Sequence, residues 1–381
     1  MKHIGFNKPY LTGLETQYII ESVASGKISG DGIFSKKCHD FFEKNLGFRK
    51  TLLTTSCTDA LEMCAILLDI KPGDEVIAPS YTFVSTVNAF ILRGAKIQFA
   101  DSNADNPNID PDKIEHLINE KTKAVIVVHY AGISCDMKKI VEICKRHNIK
   151  LIEDAAQAIS AFHEQTALGS FGDLAAFSFH ETKNIISGEG GLLVINDESL
   201  IERAEIIREK GTNRSKFFRG EIDKYGWVDV GSSFLPSDII AAFLFAQLQH
   251  LDKIQERRME LWNIYFSYLQ ELSNESKIKL PKIPPYSKHN AHMFYIICND
   301  LKERTDLISH LKSKNINAVF HYLSLHKSEF HLKNNKLIHL PYCDLYSDCL
   351  LRLPLYYELS KDDISRITNE IHYFYNELEA R

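Results

Sequence analysis

Up to about residue 250, short apolar runs alternate with stretches of helical spacing, and this rhythm restricts the possible folds more than any other feature of the sequence. Residues 75–78, 95–100, 124–128, 150–153 and 174–179 read as buried strands. Between them, residues 56–69 place Ala60, Leu61, Met63, Cys64, Leu67 and Leu68 at helical intervals. Lys71-Pro-Gly-Asp74 reads as a turn, and residues 137–147 as a basic amphipathic helix. Strands this apolar, interleaved with helices, predict a mostly parallel sheet covered on both faces. After Leu248 the character changes. Residues 250–272 read as a long helix and 277–285 as a proline-bearing extended segment. Strands at 293–297 and 318–321 then alternate with helices at 305–313 and 362–379. The expected organisation is a large α/β domain over 1–250 and a smaller α/β domain over 251–381.

Composition narrows the function classes. The 381 residues are 44% hydrophobic and 25% charged, as in ordinary globular proteins. A net charge of −5 with scattered basic residues opposes nucleic-acid binding. No apolar run approaches the roughly 18 residues of a membrane helix. The start, Met1-Lys-His-Ile-Gly-Phe-Asn-Lys-Pro9, lacks a signal-peptide core, so a cytoplasmic protein with no membrane partner is expected. The eight cysteines are dispersed without a Cys-x-x-Cys, which argues against a zinc site or a disulfide framework.

In a parallel sheet, ligands gather at the carboxyl ends of the strands. Asp154 and Gln157, in Leu151-Ile-Glu-Asp-Ala-Ala-Gln157, follow one such strand. A carboxylate there can keep a pyridine nitrogen protonated, and equally it can cap the next helix. Lys183 follows the apolar run 174–179. A lysine at the mouth of a buried strand loses its proton more easily and can then hold an aldehyde. Together the two residues suggest a pyridoxal phosphate (PLP) site. Gly188, Gly190 and Gly191 let backbone approach a ligand, or form a hairpin turn. In Thr54-Thr-Ser-Cys-Thr-Asp59, the hydroxyls and free N–H groups at a helix start suit a phosphate dianion, or serve as ordinary capping. Ser178 can add a further hydroxyl. Phe83, with Tyr81 second, is the aromatic candidate to stack on a flat heterocycle, although aromatics near strand ends also serve as core.

Taken in order, Ser56-Cys-Thr-Asp-Ala60, Pro79-Ser-Tyr-Thr-Phe83, Glu153-Asp-Ala-Ala-Gln157 and Phe177-Ser-Phe-His-Glu-Thr-Lys183 resemble the DegT-like sugar-nucleotide aminotransferases over nearly the whole chain. The resemblance implies fold type I, the aspartate aminotransferase fold. It implies that Lys183 is catalytic, carrying PLP as an internal aldimine and shuttling protons, with pyridoxamine phosphate as the intermediate form. Asp154 would bind the pyridinium nitrogen, and Gln157 would approach the ring hydroxyl. Ser56, Cys57, Thr58 and Ser178 would hold the phosphate, and Phe83 would lie over the ring. The family pattern is a homodimer with sites at the subunit interface. Ser233, in Gly231-Ser-Ser-Phe-Leu235, takes the position where many relatives carry an asparagine that reaches the phosphate across the dimer.

Further segments, among them His129-Tyr-Ala-Gly132, Phe217-Phe-Arg-Gly220 and Val319-Phe-His-Tyr322, resemble one branch of the family. That branch implies dTDP-4-dehydro-6-deoxy-D-glucose as acceptor, L-glutamate as donor and a 4-amino-4,6-dideoxygalactose product. Arg214, Phe218, Arg219, His321 and Tyr322 are the candidate substrate contacts, against a reading as surface charge and small-domain core. A 3-keto sugar aminotransferase is the alternative within the class. A non-catalytic PLP-binding regulator and a nucleotide-sugar dehydratase are the alternatives outside it. A lysine at 183, where the dehydrating variant of the family has histidine, opposes the last.

Overall fold

The apolar runs become strands of one seven-stranded sheet in a computed structural model that describes residues 2–379. In chain order they are β1 (Thr51–Thr54), β2 (Glu75–Pro79), β3 (Lys96–Ala100), β4 (Thr122–Val128), β5 (Lys150–Asp154), β6 (Leu174–Ser178) and β7 (Gly191–Ile195). Their spatial order is β1-β7-β6-β5-β4-β2-β3. The pairs from β6 through β3 are parallel, whereas β7 runs antiparallel to both neighbours.

Side chains alternate between the faces of a strand. Val76, Ala78, Ala124, Ile126 and Ile152 therefore enter one apolar cluster, and Ile77, Val125, Val127 and Leu151 enter another. Helices Cys57–Leu67 and Ile201–Arg208 complete the first cluster; Ile33–Asn45, Met137–His147 and Asp238–Leu248 complete the second. The helix Asp238–Leu248 is apolar nearly all round, as befits a helix packed on several sides. Its buried Asp238 accepts hydrogen bonds from the Phe34 and Ser35 amides at 3.2 and 2.8 Å, tying it to the start of the helix Ile33–Asn45. Both faces of the sheet are covered, as the periodicity predicts.

A third cluster organises the rest of the chain. It gathers Leu261, Tyr265, Leu269, Phe294, Ile296, Leu307, Leu311, Leu351, Leu353 and Ile367 around the antiparallel pair β8 (Phe294–Ile297) and β9 (Leu350–Leu353). The helix Leu251–Asn274 links the two units: Leu251 and Ile254 pack under the sheet, and Leu261 onward packs into the third cluster. Two expectations from sequence differ here. Residues 318–321 are not a strand, and Val319 makes only an isolated bridge to Arg352. The chain start also sits with the second unit: Ile4 is buried in the third cluster and bridges Ile316. Among the described residues, no helix is long and apolar enough to cross a membrane.

Candidate active site

A cleft of about 810 Å³ opens at the carboxyl ends of β4, β5 and β6 and is closed on the far side by the second unit. Ten of the residues singled out from sequence line it: Ser56, Cys57, Thr58, Phe83, Asp154, Gln157, Ser178, Lys183, His321 and Tyr322.

Asp154 ends β5 and is buried. Its Oδ2 accepts the Thr86 hydroxyl at 2.7 Å and its Oδ1 accepts the Ala156 amide at 3.2 Å. Burial raises its pKa, and the Thr86 bond and the Lys183 charge oppose the rise. Glu153, one residue earlier, points to the opposite face. It accepts the amides of Gly169, Phe171 and Gly172, each at 2.7 Å, and His129 Nε2 at 2.9 Å. These four donors fix the strand end that presents Asp154.

Lys183 lies in the turn after β6, where its amide donates to the His180 carbonyl at 2.9 Å. Among the described residues its Nζ has no hydrogen-bond or ion-pair partner. Burial lowers its pKa, and the Cys57 and Asp154 charges only partly offset this. Gln157 spans the cleft: its Oε1 accepts the Ala131 amide at 2.6 Å, and its Nε2 donates to the Tyr322 hydroxyl at 3.0 Å. Tyr322 in turn stacks on His321 with ring centres 3.5 Å apart, and His321 Nδ1 meets the Tyr130 hydroxyl at 2.8 Å.

The segment before the helix Cys57–Leu67 forms an anion-ready end. Ser56 Oγ accepts the Asp59 amide at 3.0 Å and caps the helix. The amides of Cys57 and Thr58 have no acceptor among the described residues, and Thr58 Oγ1 donates to Ser85 Oγ at 2.9 Å. Gly191 lets this end approach β7, since a Cβ there would fall 2.3 Å from the Ser56 carbonyl. Gly188 adopts φ +82, a left-handed turn that favours glycine. Phe83 borders the cleft with 56% of its surface exposed, whereas Tyr81 is only 1% exposed and packs against Tyr130, Tyr322 and Tyr346. Phe83 is therefore the aromatic available to a ligand, and Tyr81 belongs to the core.

Four candidates lie outside the cleft of their own chain. Arg214 heads the short helix Arg214–Phe218 and rests over the Phe218 ring at 4.9 Å. Arg219 pairs with Glu205 at 2.8 Å and Glu221 at 2.6 Å. Ser233 is exposed and bridges Glu209. Lys216 and Arg219 pair with Glu202 and Glu205 of the helix Ile201–Arg208 rather than with any residue of the cleft, and Ser233 lies one residue before Phe234, whose carbonyl accepts the Thr55 amide beyond the end of β1. Conversely, the sequence reading passed over Thr86, His292 and Arg352. Thr86 could have been suspected from the hydroxyl-rich run after β2. His292 and Arg352 carry no local signal, because only the docking of the second unit brings them to the cleft.

Comparison with known proteins gives a consistent result. The family model described as DegT/DnrJ/EryC1/StrS aminotransferase matches residues 9–372. The chain is 32% identical over 375 residues to the spore coat polysaccharide biosynthesis protein SpsC of Bacillus subtilis, covering 96% of this chain and 95% of SpsC. It is 31% identical over 378 residues to GDP-perosamine synthase of Escherichia coli O157:H7, covering 99% and 100%. The aminotransferase TlmJ from Streptoalloteichus hindustanus superposes with a TM-score of 0.90 at 28% identity, covering 99% of this chain and 100% of TlmJ. Other solved structures of this fold carry the cofactor as pyridoxal phosphate or as its amine form.

Proposed function

This chain belongs to the DegT/DnrJ/EryC1/StrS aminotransferase family, an enzyme family of fold type I, and from that premise we propose that it aminates a dTDP-linked keto-6-deoxyhexose with L-glutamate as donor. The acceptor assigned is dTDP-4-dehydro-6-deoxy-D-glucose, and the product is dTDP-4-amino-4,6-dideoxy-D-galactose. The observation that carries the reading is the convergence of a half-buried lysine without a partner among the described residues, a buried aspartate and two free helix-start amides in one cleft.

Those residues fit pyridoxal 5′-phosphate, the cofactor of the family. Lys183 Nζ, lacking a partner, would take the aldehyde. The Cys57 and Thr58 amides, with the hydroxyls of Ser56, Thr58 and Ser178, would hold the phosphate. Asp154 would hold the ring nitrogen, Gln157 would reach the ring hydroxyl, and Phe83 would offer an aromatic face. Bound there, the cofactor supplies a sink for the electrons released at the substrate carbon.

The chain supplies the rest. Burial shifts Lys183 toward the neutral amine, the form in which its Nζ can take the proton from the donor's α-carbon. In the second half-reaction the same Nζ delivers a proton to the sugar carbon that receives nitrogen. Asp154 holds the proton on the ring nitrogen, and Thr86 fixes the orientation of its carboxylate. His321 and Tyr322, stacked at the rim, are the sugar-facing pair. We extend the proposal to a cytoplasmic homodimer in which Arg214, Phe218, Arg219 and Ser233 serve the partner's site. The exposure of Phe218, Tyr225 and Trp227 on that segment supports this. The identity with SpsC supports a role in making a surface glycan.

A GDP-linked acceptor is the second reading, favoured by the full-length identity with GDP-perosamine synthase. The test is to supply ¹⁵N-glutamate with dTDP-linked 4-keto, dTDP-linked 3-keto and GDP-linked 4-keto sugars in competition. Label is expected in the dTDP-4-amino sugar, and Lys183→Ala is expected to abolish labelling while the protein still binds the cofactor. Label entering the GDP sugar or the 3-amino product instead would overturn the assigned acceptor. Undiminished labelling by Lys183→Ala would overturn the assigned lysine.

A further inference from the structure

Residues 321–326 tie the second unit to the strand ends of the sheet: His321 meets Tyr130, Tyr322 meets Gln157, and His326 meets Ser80, which directly follows β2. The last contact lies outside the cleft, and both its residues are 0% exposed. The Ser80 carbonyl accepts the Leu325 amide at 2.9 Å, and Ser80 Oγ accepts the His326 amide at 3.0 Å. His326 Nδ1 lies 2.8 Å from Ser80 Oγ, and its Nε2 lies 3.3 Å from Oδ1 of Asp344, on the helix Pro341–Cys349. Asp344, paired with Lys327 at 2.8 Å, can only accept, so Nε2 carries the ring proton and Nδ1 accepts the Ser80 hydroxyl. Burial lowers the pKa of His326, in keeping with a neutral ring. Serine, histidine and aspartate in this order match a hydrolase triad, but no substrate reaches a fully buried hydroxyl. The chain of groups holds rather than attacks.

What it holds is the turn in front of the ring site. Ser80 stands three residues before Phe83, and its carbonyl also accepts the Thr82 amide at 3.1 Å. Thr82 Oγ1 lies 2.8 Å from Thr86 Oγ1. Thr86 gives its proton to Asp154, so Thr82 is the donor, and a directed chain runs from Thr82 to the carboxylate assigned to the ring nitrogen. The second unit meets this turn again where the Tyr322 ring lies 6.2 Å from that of Phe83. One short segment thus carries the aromatic face and the support of the aspartate, and the second unit grips it at Ser80.

We propose that His326 is a positioning residue: by holding Ser80 it fixes the turn that presents Phe83 to the cofactor ring and Thr82 to the Thr86–Asp154 pair. The inference rests on the aminotransferase reading above and adds to it a residue that lies outside the cleft.

The test titrates wild type, His326→Leu, His326→Asn, Phe83→Leu and the double variant His326→Leu/Phe83→Leu with pyridoxal 5′-phosphate and records the visible circular dichroism of the bound ring. His326→Asn keeps an acceptor near the place of Nδ1. Ser80→Ala/His326→Leu removes both polar partners together and guards against a variant that fails to fold. Tyr346→Phe, which gives up a 2.8 Å bond from the same helix to the Asn103 carbonyl of the large unit, is the control for docking alone. His326→Leu is expected to weaken cofactor binding about 3- to 10-fold, reduce the dichroism and lower kcat with KM for glutamate unchanged. Ser80→Ala/His326→Leu should do the same, and His326→Asn should recover part of the loss. The losses from His326→Leu and Phe83→Leu should combine to less than their sum, because one acts through the other. Tyr346→Phe should lower the urea midpoint and leave affinity and dichroism as in wild type. Strictly additive losses would overturn the inference. So would a fall in midpoint for His326→Leu with affinity and dichroism unchanged, which would make the contact a fastening between units and nothing more. If wild type takes up no pyridoxal phosphate, the aminotransferase reading fails, and this inference with it.

Discussion

Replacing Glu153 by glutamine tests how the site is held in place. The side chain is fully buried and receives four donors. Oε1 accepts the Phe171 and Gly172 amides, and Oε2 accepts the Gly169 amide and His129. His129 Nδ1 accepts the Cys135 amide at 3.3 Å, so its proton sits on Nε2, facing Glu153. A glutamine oxygen can serve one pair of donors. Its NH₂ group then confronts the other pair, and neither flip of the amide avoids the clash. Two charge-assisted bonds are lost, each worth about 1.5–3 kcal/mol, for a total of about 3–6 kcal/mol. With a urea slope of about 3 kcal/mol per molar, the unfolding midpoint should fall by about 1–2 M. Glu198→Gln is the control, because it removes only an exposed pair with Arg49 and should shift the midpoint by less than about 0.3 M. Equal shifts for the two variants would refute the claim that the four-donor cradle anchors the end of β5. Because Asp154 is the next residue, cofactor affinity should fall together with the midpoint.

Two further outcomes are expected. Lys183 titrates below the ordinary lysine value of 10.5, so between the two values the unfolded chain binds more protons than the folded one and stability rises with pH. Cofactor-free wild type should therefore gain on Lys183→Met in urea midpoint as pH rises from 7.5 toward 10; a gap that moves the other way would refute the burial argument. Gly191→Ala should destabilise the protein by about 1–3 kcal/mol and weaken cofactor retention, because its Cβ would strike the Ser56 carbonyl at 2.3 Å. Gly188→Ala, which meets nothing within 4 Å, should carry only backbone strain and leave cofactor affinity intact, and equal cofactor loss in both would refute the contact.

The sequence made the large unit legible because its strands are short, apolar and separated by clear turns, so their carboxyl ends could be located in advance. Asp154, Lys183 and the 56–58 turn sit at such ends, and their chemistry follows from residue type plus position. Thr86 was missed because a threonine that steadies a carboxylate looks like any other hydroxyl. Arg352 and His292 were missed because their importance arises from how one unit lies on the other, which no local pattern encodes. Residues 318–321 have the composition of a strand but become a connection, since β8 already pairs with β9 and Val319 gains a single bridge. Arg214, Phe218, Arg219 and Ser233 showed the opposite problem, since their side-chain types suit a substrate but their own chain keeps them outside its cleft.

The seating of Ile4 against Ile316 has a consequence for biogenesis. This segment must wait for partners made some three hundred residues after it, including Asp363, which holds Lys2 at 3.1 Å. The entropy of closing so long a loop grows only slowly with its length, so the delay is one of time more than of energy. During synthesis the sheet can complete itself while the opening residues remain unplaced. Phe6 and Asn7 line the cleft wall beside Arg352 of β9 and Glu181, so the pocket should take shape only after β9 has been made.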